Sequence, residues 1–524
     1  MASEKLPKAS LCVKTQSIFS SFPNSHRLPD MTHQNLLTSG LRASVKRTPN
    51  KLAIKSDSGT RTYSELADRI DAIKCMAQNR WKLSAGDVVA LISPNCIEYY
   101  EYISALAEVG VAVAKVNYRL SAPEAQDIIL DAGAKLIVYH PSCEALVPDE
   151  FECQLIDSPV PTAEACIDAE ISEEAIFAIP YTSGTTGKPK GVMISHRSRV
   201  MTFYGMAAEY PCFSSDCYFL AIAPLCHGAG FAFGYAPLFF GGTVEILPQF
   251  DAEQVITKLG EGAADGIFMV PAHFQAIFNL DKEILESVRE THTLKSIISN
   301  ASALPQPLKK DIVELFGPDL LNETYGSTEA GIVTNLRPEY QMHKLNCVGT
   351  SFVASEVSLR DESGQEVAVD MPGELFSRGP ALFTGYWNNP SATAEAISDG
   401  WVSVGDIAKR DSEGHIYIVD RKNDMIISGG INVYPREIEN VLTEHPCIIE
   451  CAVFGIRDPK WGESIHAAVV ISEEVSAENL TAWLRNDVAG FKLPKHYHFV
   501  DVLPRNATGK ILKRALVEEF SVER

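Results

Sequence analysis

Between residues 52 and 138, short apolar runs alternate with stretches whose apolar positions recur at helical spacing. The run 86–94 is β-rich and closes on a Ser-Pro turn signal, so it predicts a strand, and so does 135–139. Residues 62–66 open a helix and 103–113 predict another. Such alternation predicts an α/β sheet flanked by helices. Residues 141–172, rich in Pro, Cys and acids, read as an irregular connection. Beyond it, 175–180 is apolar and predicts a buried strand that runs into a Gly, Ser and Thr loop and then into helical spacing. Two further strands are predicted at 219–228, ending in a turn that presents His227, and at 294–304, ending in small residues. Residues 373–375 and 378–387 read as strands about a glycine turn, a small β subdomain. The last hundred residues form a compact unit of their own, with a helix from Pro435, strands at 451–455 and 465–471, and a helix at 477–488.

Composition narrows the function classes. With 524 residues, 46% of them hydrophobic, the chain can bury a large core in several domains. A formal charge of −21 argues against a nucleic-acid surface, though local basic loops can still hold small anions. One such reversal of sign is 491–514, where Lys492, Lys495, Arg505, Lys510, Lys513 and Arg514 face a single acid, Asp501; a solvated basic face is the simplest reading of it. Twelve cysteines without a Cys-x-x-Cys pair argue against structural zinc and suit reduced thiols in a cytoplasmic compartment. No apolar run reaches the ~18 residues of a membrane span. Residues 1–30 are expected as a disordered tail, Met31 offers an alternative start, and Arg27 is the lone Arg where a transit peptide would have several. The chain ends Ser521, Val522, Glu523, Arg524 rather than Ser-Lys-Leu.

The loop at 181–191 reads Tyr-Thr-Ser-Gly-Thr-Thr-Gly-Lys-Pro-Lys-Gly. It offers backbone N–H groups, hydroxyls and two lysines to a polyphosphate, with little side-chain bulk in the way. It is not a Walker A loop, because Gly184 and Gly187 are three apart and Lys188 precedes Pro189. His227, alone after a strand, fits a buried and satisfied side chain as well as one that faces a ligand.

The 181–191 loop resembles the signature loop of the adenylate-forming superfamily, which contains acyl- and aryl-CoA synthetases, luciferases and the adenylation domains of peptide synthetases. Five motifs stand in family order and the resemblance covers about residues 36–520. It implies an α/β fold with a large N-terminal domain of sheets and a small β subdomain (31–420), followed by a small mobile α+β C-terminal domain (421–524). The co-substrates and cofactor implied are ATP, Mg2+ and coenzyme A, and the partners are these with a small carboxylic acid; neither nucleic acid nor an integral membrane segment is expected, and a homodimer stays open. Nucleotide contacts carry over to Thr182, Ser183, Gly184, Thr185, Thr186, Gly187, Lys188, Lys190, Ser302, Tyr325, Gly326, Thr328, Asp406 and Arg421. Among them Tyr325 offers a face to adenine, Thr328 a hydroxyl to the α-phosphate, and Asp406 two acceptors to the ribose diol, although a turn Asp is equally ordinary. Metal binding falls to Thr186 and Glu329, and catalysis to Lys510, Glu329 and His227. The acid pocket is expected at His227, Ala229, Phe233 and Asn300, the hinge at Asn423, and the CoA tunnel at Ser428, Gly429 and Gly430. Where the family usually has Gly-Gly-Ala or Gly-Ala-Ala, this chain has Asn300, Ala301 and Ser302, which alters the acyl channel more than the nucleotide site.

A carboxylate does not acylate a thiol at neutral pH, because its charge repels nucleophiles and oxide leaves poorly. Conversion to an acyl-adenylate supplies AMP as the leaving group, and the protein's part is positioning and electrostatics. The resemblance therefore implies an ATP-dependent carboxylate–CoA ligase that releases pyrophosphate and AMP. Ala229, small where aryl-specific relatives often carry a larger side chain, and Phe233 as a floor suggest a short- or medium-chain fatty acid. The alternatives are an aryl-CoA ligase, a stand-alone adenylation enzyme that loads a carrier protein, a luciferase, and an adenylate-binding sensor without catalysis. Lys510→Ala should suppress adenylate formation and spare thioester formation from a supplied acyl-adenylate. Equal loss of both half-reactions would rule out a role confined to the first.

Overall fold

The computed structural model describes residues 35–161, 166–182, 189–505 and 511–521, so the 1–30 tail and the start at Met31 lie outside the described residues. The strands form four sheets. The first runs in the order Gly385–Tyr386, Lys190–Ser195, Ile176–Thr182, Ala112–Val116, Val88–Ile92, Leu136–Tyr139, Cys153–Leu155. The second runs Thr350–Ser351, Gly331–Leu336, Leu321–Ser327, Ser296–Ser299, Gly266–Met269, Tyr218–Ala221, Thr243–Ile246, Leu52–Ser56, Gly59–Thr62. The inner strands of both pair in parallel. Val88–Ile92 and Ala112–Val116 are buried at every position, as parallel strands covered on both faces must be.

A layer of helices joins the two sheets. One apolar cluster links Val89 and Phe177 of the first sheet to Phe219, Phe268 and Ile298 of the second through Tyr100, Phe203, Phe231 and Tyr235. The helix Gly228–Phe240 is buried at every position from Gly230 to Phe239, which fits an element apolar all round. A third sheet contains Gly373–Arg378, Asp406–Arg410 and Ile416–Arg421, and a fourth contains Ile426–Ser428, Ile448–Asp458 and Gly462–Ile471. The fourth packs on a core of its own that includes Ile438, Leu442, Val453, Ile465 and Leu480. The architecture is α/β, with a large N-terminal part and a small C-terminal one.

Several local expectations change. The helix expected over 103–113 is Ile97–Ala107; Gly110, at φ +74, breaks it and Ala112 starts a strand. The signature loop leads first into the strand Lys190–Ser195, antiparallel to Ile176–Thr182, and the helix His196–Glu209 begins only after Ser195 caps it. Short apolar runs of this kind do not distinguish strand from helix by spacing alone. Residues 141–172 contain a 3-10 turn, Pro141–Leu146, and a strand, Cys153–Leu155. Gly385–Tyr386 leaves the small β subdomain and pairs with Lys190–Ser195. The helix expected over 477–488 ends at Leu484.

The strand Leu321–Ser327 is tied to the helix Gln306–Phe316 by an ion pair between Glu323 and Lys309, which are 5% and 1% exposed. Glu323 also accepts the Leu304 N–H at 3.2 Å. Removing one partner of such a pair leaves a buried, uncompensated charge and costs about 3–5 kcal/mol. Lys309→Met should lower the unfolding free energy by about that amount in urea denaturation. A loss under about 1 kcal/mol would place the strand's anchorage elsewhere.

Candidate active site

Leu321–Ser327 runs antiparallel to Gly331–Leu336, and the register slips between Tyr325 and Gly326. At the slip the chains approach so closely that a Cβ on Gly326 would lie 2.0 Å from the Gly331 carbonyl oxygen, and glycine alone fits. Tyr325 donates its phenol to one Asp406 oxygen, and Arg421 Nε lies 3.2 Å from the other. Burial, with the Asp406 charge behind it, raises the Tyr325 phenol well above its ordinary range, so it remains a donor. Asp406 is buried at the start of Asp406–Arg410, paired in register with Arg421. Three of the expected nucleotide residues are thus held in one group by a hydrogen bond and an ion pair.

The turn that follows carries Thr328 and Glu329. Glu329 is 8% exposed and accepts the Tyr386 hydroxyl at 2.8 Å on Oε1, while Oε2 has no partner among the described residues. Lys190 Nζ stands 5.1 Å from the centre of the same Tyr386 ring. A buried carboxylate with one oxygen committed and one available suits a hard cation that takes few protein ligands. A second acidic group, Asp411 and Glu413 beside His415, is bridged by Lys344 at 2.9 and 2.5 Å.

Thr328 meets the helix Gly228–Phe240 at its first residue, since a Cβ on Gly228 would lie 3.4 Å from Thr328 Oγ1. His227 is the N-cap of that helix, and Gly230 passes so near Pro224 that a Cβ would lie 2.2 Å from its carbonyl oxygen. Burial, helped by the Lys115 and Arg119 charges, lowers His227 to about 4, so its imidazole is neutral at neutral pH. Ala229 packs at the edge of the main core. Phe233 is 1% exposed and stacks on Phe268 at 4.5 Å between ring centres.

At the 300–302 position Asn300 donates to Thr324 Oγ1 at 2.6 Å and accepts the Ala301 N–H. Ala301 sits at φ +80, a conformation that costs an L-residue about 1–2 kcal/mol and that glycine adopts freely. This is the physical reason a glycine suits the position. Ser302 is exposed and makes no side-chain hydrogen bond among the described residues.

Thr182 ends its strand half-buried. Ser183, Gly184, Thr185, Thr186, Gly187, Lys188 and Lys510 lie outside the described residues. Asn423 is exposed in the turn between Ile416–Arg421 and Ile426–Ser428. Gly429 and Gly430, at φ +62 and +79, turn the chain beside Trp461, and Ser428 is buried. Among the described residues, no hydrogen bond or ion pair joins Ser428, Gly429 or Gly430 to Tyr325, Asp406 or Glu329. Tyr386, Lys115 and Arg199 belong to the neighbourhood but were not singled out by motif. Lys115 alone left a signal, as the one charge in the apolar run from 111 to 116.

A family model described as AMP-binding enzyme matches residues 41–387, and one described as AMP-binding enzyme C-terminal domain matches 437–510. The feruloyl-CoA synthase of Amycolatopsis sp is 32% identical over 485 residues, spanning 91% of this chain and 97% of that protein. The o-succinylbenzoate CoA synthetase of Bacillus subtilis, solved with its acyl-adenylate intermediate, matches with a TM-score of 0.83 at 28% identity over 91% of this chain and 97% of that one. The same synthetase solved with ATP and a magnesium ion gives 0.82 at 27% identity, over 91% and 98%.

His196 and His273, like His227, are lowered to about 4 by burial. Each is about 6.5 when unfolded, so between pH 6.5 and 4 the unfolded chain binds about three protons that the folded chain refuses. Stability should therefore fall as pH falls through that window, by roughly 4 kcal/mol per unit where it is steepest. His273→Gln should remove about one proton from the slope measured by denaturation at pH 7, 6 and 5. A slope equal to the parent's would mean His273 is not held neutral.

Proposed function

This chain belongs to the AMP-binding enzyme family, and from that premise we propose that it is an ATP-dependent CoA ligase acting on an aromatic acid. It is an AMP-forming acid–thiol ligase that uses ATP with Mg2+ and takes CoA as co-substrate. The observation that carries the aromatic reading is that relatives matched along more than nine-tenths of the chain are named for ferulate and o-succinylbenzoate. A short- or medium-chain fatty acid is the second reading, favoured by the small Ala229 beside His227.

In the first half-reaction a carboxylate oxygen attacks the α-phosphorus of ATP and pyrophosphate leaves. Tyr325 lies against the adenine, and Asp406, oriented by Tyr325 and Arg421, accepts from the ribose hydroxyls. Thr328 donates to the α-phosphate, while Lys510 and residues 182–190 hold the phosphate oxygens. Glu329 and Thr186 are the proposed holders of Mg2+; the chemistry a bound ion supplies there is neutralisation of phosphate charge. The neutral His227 stands beside the acid without adding a charge that would hold the carboxylate back.

In the second half-reaction the CoA sulfur attacks the acyl carbon and AMP leaves. We place the domain boundary at 420/421 and the hinge at Asn423, with Ser428, Gly429 and Gly430 lining the thiol's approach. The described cysteines are all free, in keeping with a cytoplasmic protein. No helix among the described residues is long and apolar enough to cross a membrane.

The test is a panel of acids read by pyrophosphate release and by thioester formation. Cinnamate- and benzoate-type acids should exceed butanoate through decanoate in kcat/KM by roughly tenfold or more, the scale of a few buried ring contacts. If an unbranched aliphatic acid outruns every aromatic one, the aromatic assignment falls and the ligase chemistry stands.

A further inference from the structure

Glu329 is held at two points by one short segment of chain. The Phe383 N–H donates to the Glu329 carbonyl at 2.8 Å, and the Tyr386 hydroxyl donates to Oε1 at 2.8 Å. The other carboxylate oxygen, Oε2, has no partner among the described residues and is not fully enclosed. A carboxylate buried for the fold alone is expected to have both oxygens paired. Here one oxygen is fixed and the other is left open.

Tyr386 itself has little freedom. It is 8% exposed, its N–H donates to Thr393 Oγ1 at 2.9 Å, and its ring meets Phe383 edge-on at 5.0 Å between centres. The same segment is bonded to the strand that leaves the signature loop. The Thr384 N–H donates to Met193 O at 2.9 Å, and the Trp387 N–H donates to Gly191 O at 2.8 Å. The approach at Gly191 is close, since a Cβ there would lie 2.8 Å from Ile179 Cγ2 and 3.1 Å from Trp387 Cβ. Lys190, one residue earlier, places its ammonium 5.1 Å from the centre of the Tyr386 ring, within cation–π range. One phenol thus has the Glu329 carboxylate on its hydroxyl and the Lys190 ammonium over its ring. Residues 383–387 tie the turn of Glu329 to the strand of Lys190.

A glutamate held in this way differs from a free one. An unconstrained side chain samples several staggered rotamers, and few of them aim an oxygen at a given point. Removing the group that orients a metal-ligating side chain typically costs about ten- to a hundredfold in metal affinity.

We propose that Tyr386 is a positioning residue for the first half-reaction, its hydroxyl aiming Glu329 Oε2 at the Mg2+ that accompanies ATP. The inference rests on the reading of Glu329 as a holder of that ion. Tyr386 acts through Glu329 and takes no part in bond making. The ring carries Lys190 independently of the hydroxyl, so Tyr386→Phe removes the orienting bond and leaves the cation–π contact in place.

The test compares the full-length wild type with Tyr386→Phe and Glu329→Gln. Calorimetry measures binding of α,β-methylene-ATP with Mg2+ and with EDTA, and binding of AMP in EDTA. In Tyr386→Phe the gain in analogue affinity that Mg2+ brings should fall by roughly tenfold or more, while AMP affinity stays unchanged. The Mg2+ concentration for half-maximal pyrophosphate release should rise by a similar factor. Thioester formation from a supplied acyl-adenylate should be unaffected. A full Mg2+ gain in Tyr386→Phe, with the gain lost in Glu329→Gln, overturns the role of Tyr386 and leaves Glu329 as the holder. A gain that survives in both variants, or is missing from the wild type, overturns the Glu329 reading as well. Equal losses of AMP and analogue binding in Tyr386→Phe would mean that the hydroxyl serves only the fold, and would also overturn the proposal.

Discussion

The ion pair between Lys309 and Glu323 is enclosed on both sides, and the strand it holds carries Tyr325 and leads into the turn with Thr328 and Glu329. A buried pair adds little net stability over an apolar one, yet it is expensive to break, so its main effect is to forbid alternatives. The alternative here is a slip of Leu321–Ser327 by one residue, which would send every side chain to the opposite face. Asn322, bonded to Ser296 Oγ at 3.1 Å, and Thr324, bonded to Asn300 at 2.6 Å, agree with the same register. With the register fixed, Tyr325 reaches Asp406, Gly326 makes its close pass at Gly331, and the turn delivers Thr328 and Glu329.

The α/β alternation and the order of the parts were legible in the sequence because they rest on local apolar patterning and on contiguous motifs. Tyr325, Thr328, Glu329, Asp406 and Arg421 were found by identity at fixed positions, and the structure brings Tyr325, Asp406 and Arg421 into one bonded group. Pairing across long separations was not legible. Tyr386 meets Glu329 from 57 positions away, and Gly385–Tyr386 joins a strand nearly two hundred residues earlier. The strand Lys190–Ser195 between the loop and the helix was not legible, because six residues are too few for period 2 and period 3.6 to separate. Ala301 shows a different limit: its φ of +80 is a property of backbone geometry that the letters Asn-Ala-Ser do not announce.

Charge was legible as composition but not as field. The basic run at 491–514 reads as a local reversal of sign, yet Lys492 pairs with Glu437, Lys513 with Glu439, Arg505 with Glu450 and Arg514 with Glu518. Acids from other parts of the C-terminal unit thus offset much of the positive stretch. The opposite holds at Lys115 and Arg199, inconspicuous in a chain of net −21 but left without an acidic partner among the described residues. Local sign therefore depends on which acids the fold brings near, and not on counts along the chain.

Asp420 sets the condition that any turning at Asn423 must meet. Its carboxylate accepts the Arg421 N–H at 2.7 Å and, across the turn, the Arg436 N–H at 2.8 Å. Burial raises its pKa, with Lys513 and the two N–H donors working against that rise. Lys513, bonded to Glu439 at 2.7 Å, also feels Asp420. The strand Ile416–Arg421 is thereby stitched to the helix Pro435–Thr443, with Asn423 in the exposed turn between them. Rotation about that turn must break the Arg436 bond, and a single hydrogen bond to a charged acceptor is worth about 1.5–3 kcal/mol. Part of the loss is recovered, because an exposed Asp420 regains the water that burial denied it. A tie of this size is large enough to hold one arrangement and small enough to release it within a catalytic cycle, which is what a hinge at Asn423 requires.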